Sequence, residues 1–255
     1  MLYKKLIFMI IISLIIVTTS YSKNDIKITF TNTNNYNEYQ IKKIIENSNS
    51  LDILIDTLNQ KFKFKKKIII EIGQNNGPLY ENQTNKILIP YSFYQETYDT
   101  FKKVDYHKTG ITIKEATIDV LMQTILHELA HAVIEINKLP IVGKEEDIAD
   151  SFAAVMLIEL FENGDEILLS TSDVFKLYSN NHKFTEEDFI DEHSLDIQRF
   201  YDSVCYIYGS APLKYKNLLE ELNYSEERKL LCKEDYIKNV NNWFFLLKNH
   251  FNNKP

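Results

Sequence analysis

The chain has 255 residues, of which 44% are hydrophobic and 25% charged, and its net charge at pH 7 is −7. This is the composition of a globular protein with room for one well-filled core or two small ones, and the scarcity of glycine and proline argues against long flexible linkers. No basic run is longer than Lys65-Lys66-Lys67, so nucleic acid is excluded as an expected partner.

The N-terminus has the layout of an export signal. Lys4 and Lys5 precede an apolar run at residues 6–17, and small or hydroxylated residues follow. This pattern predicts a secretory signal peptide at residues 1–22, and the apolar run is short for a membrane span. An uncleaved anchor is the alternative. We expect a periplasmic or secreted protein, with residues 23–255 forming a single domain that has no stable membrane span.

Short apolar runs predict a small N-terminal sheet. Residues 26–31 alternate between apolar and polar side chains, and residues 67–72 and 86–90 are two further strand candidates. Turn-forming residues 73–78 follow the second candidate, so we expect a hairpin or meander. Helical spacing over residues 38–62, with an Asn/Ser patch that can interrupt it, separates the first two strands.

The rest of the chain is mostly helical by its hydrophobic spacing, which gives an α+β fold. Thr112 and Glu115 fit a capping box at the start of a helix that should end near Asn137, before Pro140. The other predicted helices cover residues 94–103, 145–161, 165–178, 194–208, 213–222 and 225–247.

The capped helix contains His127-Glu128-Leu129-Ala130-His131, which is the H-E-x-x-H pattern of zinc peptidases. Histidines four residues apart share one helix face and can bind one zinc ion. Glu128 is offset by about 100° and is placed to take a proton from zinc-held water instead of binding the metal. The alternative is two histidines that only make hydrogen bonds on a helix face.

A catalytic zinc ion needs a third protein ligand and one open position. A third histidine of the metzincin type is excluded, because Ile134 and Asn137 occupy the positions of the required glycine and histidine. Glu146 and Asp150 lie one turn apart on the next helix, so one can bind the ion while the other orients a ligating imidazole. We predict one zinc per chain with Glu146 as ligand and Asp150 as the orienting carboxylate. The reverse assignment stays open.

The two cysteines, Cys205 and Cys232, suit an oxidising compartment and could form a disulfide. Such a bridge would stabilise the fold by roughly 3–4 kcal/mol in the chain-entropy model. Two reduced, buried thiols are the alternative.

This two-part histidine and carboxylate pattern resembles the gluzincin metallopeptidases, the thermolysin-like branch. A longer resemblance links most of the mature chain to the bacterial DUF4344 family of exported metallopeptidases. It includes residues 127–153, residues 191–209 and the Leu-Cys-Lys-Glu-Asp-Tyr segment at 231–236. The resemblance implies a zinc peptidase of zincin-like fold and leaves its substrate open.

The resemblance also draws attention to a histidine far along the chain. A thermolysin-like site uses a histidine to stabilise the oxyanion that forms during peptide hydrolysis. His193 is the first candidate for this role and Arg199 the second. The alternative is a network at a helix N-terminus, in which Asp191 or Ser194 caps the helix and Arg199 pairs with Asp196.

These observations together predict an exported zinc metallopeptidase that hydrolyses peptide bonds in a peptide or protein substrate. Glu128 would activate the water and then pass the proton to the leaving amine. By analogy with zincin folds, the strand at residues 86–90 should form the sheet edge that pairs with an extended peptide. The alternatives are a non-catalytic zinc-stabilised binding protein, a zinc hydrolase of a non-peptide amide, and a protease that is inactive until its cleft is uncovered. The sequence does not indicate an oligomeric state.

Overall fold

The computed structural model describes residues 25–180 and 182–252, so the signal peptide predicted at residues 1–22 lies outside the described part of the chain. The fold is α+β, as the sequence predicts. The strands are β1 (Ile26–Phe30), β2 (Ile68–Ile72), β3 (Leu79–Glu81) and β4 (Lys86–Ile89). The helices are α1 (Tyr36–Glu46), α2 (Asn49–Lys61), α3 (Tyr91–Lys103), α4 (Ile113–Asn137), α5 (Glu145–Leu160), α6 (Gly164–Asn180), α7 (Glu186–Ile190), α8 (Asp196–Ser210), α9 (Lys216–Glu221) and α10 (Glu226–Leu247). Within the described ranges, no helix is both long and apolar enough to cross a membrane.

The sheet has the strand order β1-β2-β4-β3, in which β1, β2 and β4 are parallel and β3 is antiparallel to β4. The predicted hairpin or meander was therefore wrong in its pairing, because β2 and β4 lie parallel and the hairpin partner of β4 is β3. The prediction that residues 86–90 form the sheet edge was also wrong, since β4 lies inside the sheet and β3 occupies the edge.

A tight turn leads the chain into β3. Gly77 has a φ of +118°, and a Cβ atom there would lie 2.2 Å from the carbonyl oxygen of Leu88 on β4. Only glycine combines this backbone conformation with such a close approach. The turn thus sets the position of the edge strand, which is only three residues long and has too little alternation to be recognised from the sequence.

The observed helices differ from the predicted ones in two places. The region predicted as one helix at residues 38–62 forms two helices. The helical conformation is interrupted between Glu46 and Asn49, where Ser48 is extended before α2 begins. The short helix α7 was not predicted, since its five residues span little more than one turn and show no periodicity.

Helix α4 is the central element of the fold. It begins with the predicted capping box, in which the Thr112 hydroxyl accepts from the Glu115 backbone N–H at 3.2 Å and the Glu115 carboxylate accepts from the Thr112 N–H at 3.0 Å. It packs against α2, α3, α5, α6 and the sheet, and it is buried on most of its faces. Surrounding elements therefore fix the positions of its histidines.

The C-terminal half is held together by α6, α8 and α10. Cys205 on α8 and Cys232 on α10 form a disulfide, with their Cα atoms 4.9 Å apart. Gly209 lies one turn further along α8, where a Cβ atom would stand 2.5 Å from the Tyr236 Cβ and 2.6 Å from the Cys232 carbonyl oxygen. The two helices approach so closely that only glycine fits at the crossing.

We expect Gly209→Ala to destabilise the protein by about 1–3 kcal/mol, because the added methyl group must push α10 away from α8. The free energy of unfolding in denaturant measures this. Ser210→Ala is the matched control, since its hydroxyl only donates to the Ile207 carbonyl within the same helix. Equal stability of the two variants would contradict the close crossing.

Candidate metal centre

Three histidines point their Nε2 atoms at the carboxylate of Glu146. The Glu146 Oε2 atom lies 3.0 Å from the Nε2 of His127 and 3.0 Å from the Nε2 of His193. The Oε1 atom lies 3.5 Å from the Nε2 of His131, and the His127 and His131 Nε2 atoms are 3.3 Å apart. Four donor groups thus converge on one point.

The other nitrogen of each imidazole faces a second carboxylate. The pairs are His127 Nδ1 with Asp150 at 2.8 Å, His131 Nδ1 with Glu145 at 2.9 Å, and His193 Nδ1 with Asp191 at 3.2 Å. A carboxylate at Nδ1 fixes the tautomer and the ring orientation, and it directs the lone pair of Nε2 towards a metal. All three rings are held in the orientation that metal-binding histidines adopt.

The first turns of α5 supply most of these carboxylates. Glu145 and Glu146 begin the helix, where the macrodipole favours negative charge, and Asp150 follows one turn later. His193 comes from the connection between α7 and α8. This connection is tied to the start of α5, because Ser194 Oγ donates to Asp147 at 2.6 Å.

Arg199 anchors the carboxylate behind His127. Its Nε and Nη2 atoms donate to the two oxygens of Asp150 at 2.7 and 2.8 Å, and its guanidinium lies 4.0 Å from the ring centre of Phe175. The pairing with Asp196 that the sequence offered as an alternative is much weaker, at 3.9 Å. Neither Asp191 nor Ser194 caps α8, because the helix begins after Leu195.

The electrostatics of the cluster favour positive charge at its centre. Burial lowers the pKa of His127, but its hydrogen bonds to Asp150 and Glu146 outweigh this and raise the pKa to about 9. Burial raises the pKa of Glu146, but hydrogen bonds from the three histidines outweigh it and hold the pKa well below its usual range. Protons and a metal ion therefore compete for the same nitrogen atoms.

The donor atoms fit a metal ion. Ligand atoms that share one tetrahedral zinc at about 2.0–2.1 Å lie about 3.4 Å apart. The distances from the Glu146 oxygens to the three Nε2 atoms, and between the Nε2 atoms of His127 and His131, span 3.0–3.5 Å. One donor atom each from His127, Glu146 and His193 lies within 4.8 Å of the other two. Imidazole nitrogen and carboxylate oxygen are the donors of catalytic zinc sites.

Glu128 lies next to this cluster without taking part in it. Its carboxylate is buried, accepts a hydrogen bond from the Tyr80 backbone N–H on β3, and has a raised pKa because burial disfavours its charge. It also lines two adjoining chambers of a cleft, one of ≈ 310 Å³ and one of ≈ 280 Å³. A buried carboxylate that borders an open cleft beside a candidate metal site can accept a proton there.

The three histidine side chains differ in their exposure to solvent. The side chain of His127 is 6% exposed and that of His131 is 15% exposed, whereas that of His193 is 45% exposed. His193 also lines both chambers of the cleft, together with Glu128. The structure thus brings His193 to the predicted site from far along the chain and leaves it accessible from the cleft.

The model of the family DUF4344, described as "Putative metallopeptidase", matches residues 30–247. The chain belongs to this family. No curated protein and no solved structure matches the chain. The family match covers strands β2 to β4, the H-E-x-x-H helix and the segment that carries His193, so the whole candidate site lies within it.

Sequence reasoning missed two carboxylates and one backbone group. Glu145 has no role in the predicted site and Asp191 is predicted only as a possible helix cap, yet each faces an imidazole nitrogen. The Tyr80 N–H that contacts Glu128 belongs to the unpredicted strand β3. The contact of Asp191 could have been found from the sequence, because an acidic residue two positions before a candidate histidine is close enough to contact its ring.

Asp150→Asn should weaken metal binding about 10- to 100-fold, because the amide cannot hold the His127 ring and balance Arg199 as the carboxylate does. Competition with a chromophoric zinc chelator measures the affinity. Asp196→Asn is the matched control and should bind zinc as the wild type does, since Asp196 is 3.9 Å from Arg199 and is not in hydrogen-bonding contact with a histidine in the cluster. Equal affinities of both variants would show that Asp150 does not orient His127.

Proposed function

We propose that this chain is a zinc-dependent metallopeptidase that hydrolyses peptide bonds. The observation that carries the proposal is the position of the buried Glu128 carboxylate, which borders a cleft next to three imidazoles. The Nδ1 atom of each imidazole contacts a carboxylate. His127, His131 and Glu146 would hold the ion, and Asp150 would orient His127. The family match supports peptidase activity in general terms.

Each side chain has a distinct role in the proposed reaction. A bound zinc ion supplies Lewis acidity that acidifies water and polarises the carbonyl group of the scissile bond. Glu128 accepts the proton of the attacking water and delivers it to the nitrogen of the leaving amine. Its raised pKa suits this double role, since a more basic carboxylate holds the proton long enough to transfer it.

His193 is proposed to stabilise the negative charge that develops on the carbonyl oxygen. Its hydrogen bond to Glu146 raises the pKa of His193. The protonated ring can donate its Nδ1–H to Asp191 and a second N–H, on Nε2, to the carbonyl oxygen in the cleft. Its exposure supports a role towards the substrate, whereas the more buried His127 and His131 are better placed to hold the ion.

Export is part of the proposal. It rests on the signal pattern of residues 1–22, which precede the described part of the chain. It is supported by the disulfide between Cys205 and Cys232, since such bonds persist in oxidising compartments outside the cytoplasm.

A second candidate function is a zinc-stabilised binding protein without catalysis. The observation that favours it is the 3.0 Å contact between His193 Nε2 and Glu146, because His193 could close the coordination shell as a fourth ligand. Structural zinc sites are closed in this way, whereas catalytic sites keep one position open. Hydrolysis of a non-peptide amide would use the same groups, and a substrate screen separates it from peptide hydrolysis.

Glu128→Gln should bind one zinc per chain as the wild type does and lose about 10²- to 10⁴-fold in turnover, because glutamine cannot accept the proton. Zinc content measured by mass spectrometry and cleavage of a peptide library test both parts. Full turnover by this variant would refute the proposed mechanism, and absence of zinc from the purified wild type would refute the metal site.

His193→Ala separates the two candidate functions. For a peptidase, we expect zinc content to stay at one per chain and kcat to fall about 10²- to 10³-fold, since an oxyanion contact is lost. For a closed structural site, zinc affinity and thermal stability should fall together. The loss of zinc from this variant would therefore count against the open catalytic site.

A further inference from the structure

We propose that the disulfide between Cys205 and Cys232 controls the candidate metal centre, so that the chain binds zinc tightly only after this bond has formed. The inference rests on the metal site of the proposed function. It adds a redox condition for metal binding, which an exported chain meets when it reaches an oxidising compartment.

A cavity of ≈ 260 Å³ lies between α5, α8 and α10 and is here called the disulfide cavity. Cys205 on α8 and Cys232 on α10 line it, and so do Asp150 and Arg199. Asp150 is the carboxylate that lies 2.8 Å from His127 Nδ1. The disulfide and the ion pair that orients His127 are therefore two walls of the same space.

Ser151 joins α5 to both of the helices that the disulfide connects. It follows Asp150 in the chain, and its hydroxyl oxygen accepts from the Tyr206 hydroxyl on α8 at 2.8 Å and from Trp243 Nε1 on α10 at 3.1 Å. The disulfide closes this arrangement into a triangle of three helices. The position of Asp150 therefore depends on how closely α8 and α10 are held together.

Electrostatic repulsion acts against this close arrangement. Four aspartates and two arginines line the disulfide cavity, and each of the three helices contributes at least one aspartate. Partial desolvation raises the pKa of Asp202 on α8, although Arg228 lies near enough to lower it. Repulsion by the other three carboxylates raises it further, and these belong to Asp147, Asp150 and Asp235. Like charges on separate helices favour a wider cavity that admits water.

Loss of the disulfide should therefore loosen the pairing of Arg199 with Asp150. Arg199 lies in the first turn of α8, and its guanidinium contacts both oxygens of Asp150 at 2.7 and 2.8 Å. A wider cavity would separate these groups, and the His127 ring would lose its fixed orientation. His193 lies in the connection directly before α8 and would shift with the same helix.

The bond forms by thiol–disulfide exchange with a disulfide-bonded oxidant. The two cysteine thiols give up two protons and two electrons, and the disulfide of the oxidant is reduced to two thiols. Cys205 is 5% exposed and Cys232 is 0% exposed, so an oxidant or reductant has little access once the helices have packed. Oxidation is thus a step in the assembly of the site, and a chain still in a reducing compartment should bind zinc weakly.

Competition with a chromophoric zinc chelator tests the inference. The double variant Cys205→Ala/Cys232→Ala has neither the bond nor a thiol that could bind zinc. Its zinc affinity should be about 10- to 100-fold below that of the oxidised wild type, which is the usual effect of losing a group that orients a ligand.

Phe101→Leu is the matched control, because Phe101 belongs to a separate cluster of the core. It should lower the midpoint of unfolding in denaturant but leave zinc affinity within about twofold of the wild type. Equal zinc affinities of the double variant and the wild type would overturn the inference. Failure of the double variant to fold would also overturn it, since the bond would then serve the whole fold and not the site.

Asp202→Asn tests the part played by repulsion. Added to the double variant, it should restore zinc affinity at least about threefold, because one of the repelling carboxylates loses its charge. In the oxidised wild type, it should change zinc affinity less than about twofold, because the disulfide already holds the helices together. Glu234→Gln removes the same charge at an exposed position of α10 outside the cavity lining and should restore nothing. Equal recovery by both substitutions would overturn the inference.

A double-mutant cycle tests the route through Asp150. When Asp150→Asn is added to the double variant, zinc affinity should fall no more than about twofold below that of Asp150→Asn alone, because both changes disturb the same contact. Losses that multiply would show that the disulfide does not act through Asp150 and would overturn the inference.

Cleavage of a peptide library by the same proteins separates this inference from the proposed function. Zinc affinity that depends on the disulfide, without any cleavage by the wild type, would refute the peptidase and leave the inference intact. Cleavage by the wild type with equal zinc affinity in the double variant would refute the inference and leave the peptidase. Absence of zinc binding by the oxidised wild type would refute both.

Discussion

The contact between Glu146 and three imidazoles is the interaction on which the site depends. Two histidine Nε2 atoms 3.3 Å apart cannot both carry protons without repulsion, and both lie against the same carboxylate. An ion with two positive charges would satisfy these two imidazoles and the carboxylate at once, because the Nε2 atoms of His127 and His131 would each donate a lone pair and Glu146 would neutralise charge. The arrangement is thus more readily understood as a metal site than as a hydrogen-bond network.

The rest of the fold maintains this contact at long range. The disulfide and the close crossing at Gly209 fix α8 on α10, and α8 carries Arg199. Arg199 binds Asp150, which in turn orients His127 on α4. Covalent, packing and ionic contacts therefore link the C-terminal helices to the proposed metal ligands, and the α7–α8 connection brings His193 to the same point.

Some parts of this arrangement can be predicted from the local sequence, and others cannot. The capping box and the histidine spacing at residues 127 and 131 depend on neighbours within one helix, and both could be predicted. The pairing of Arg199 with Asp150 joins residues 49 positions apart, so Asp196, three positions away, was the obvious partner from the sequence. Strand β3 has only three residues, and its place at the sheet edge depends on a crossover that no local pattern indicates.

Glu128 gives the strongest argument for catalysis over a structural role. A metal held by His127, His131 and Glu146 would not require a carboxylate at position 128, and the burial of Glu128 within α4 disfavours the charge of its carboxylate. An apolar residue there would pack into the core without this cost. Perturbed titratable groups that border a cleft mark functional sites, because a proton carrier needs the raised basicity that burial produces. The cost in stability is therefore explained if Glu128 moves a proton.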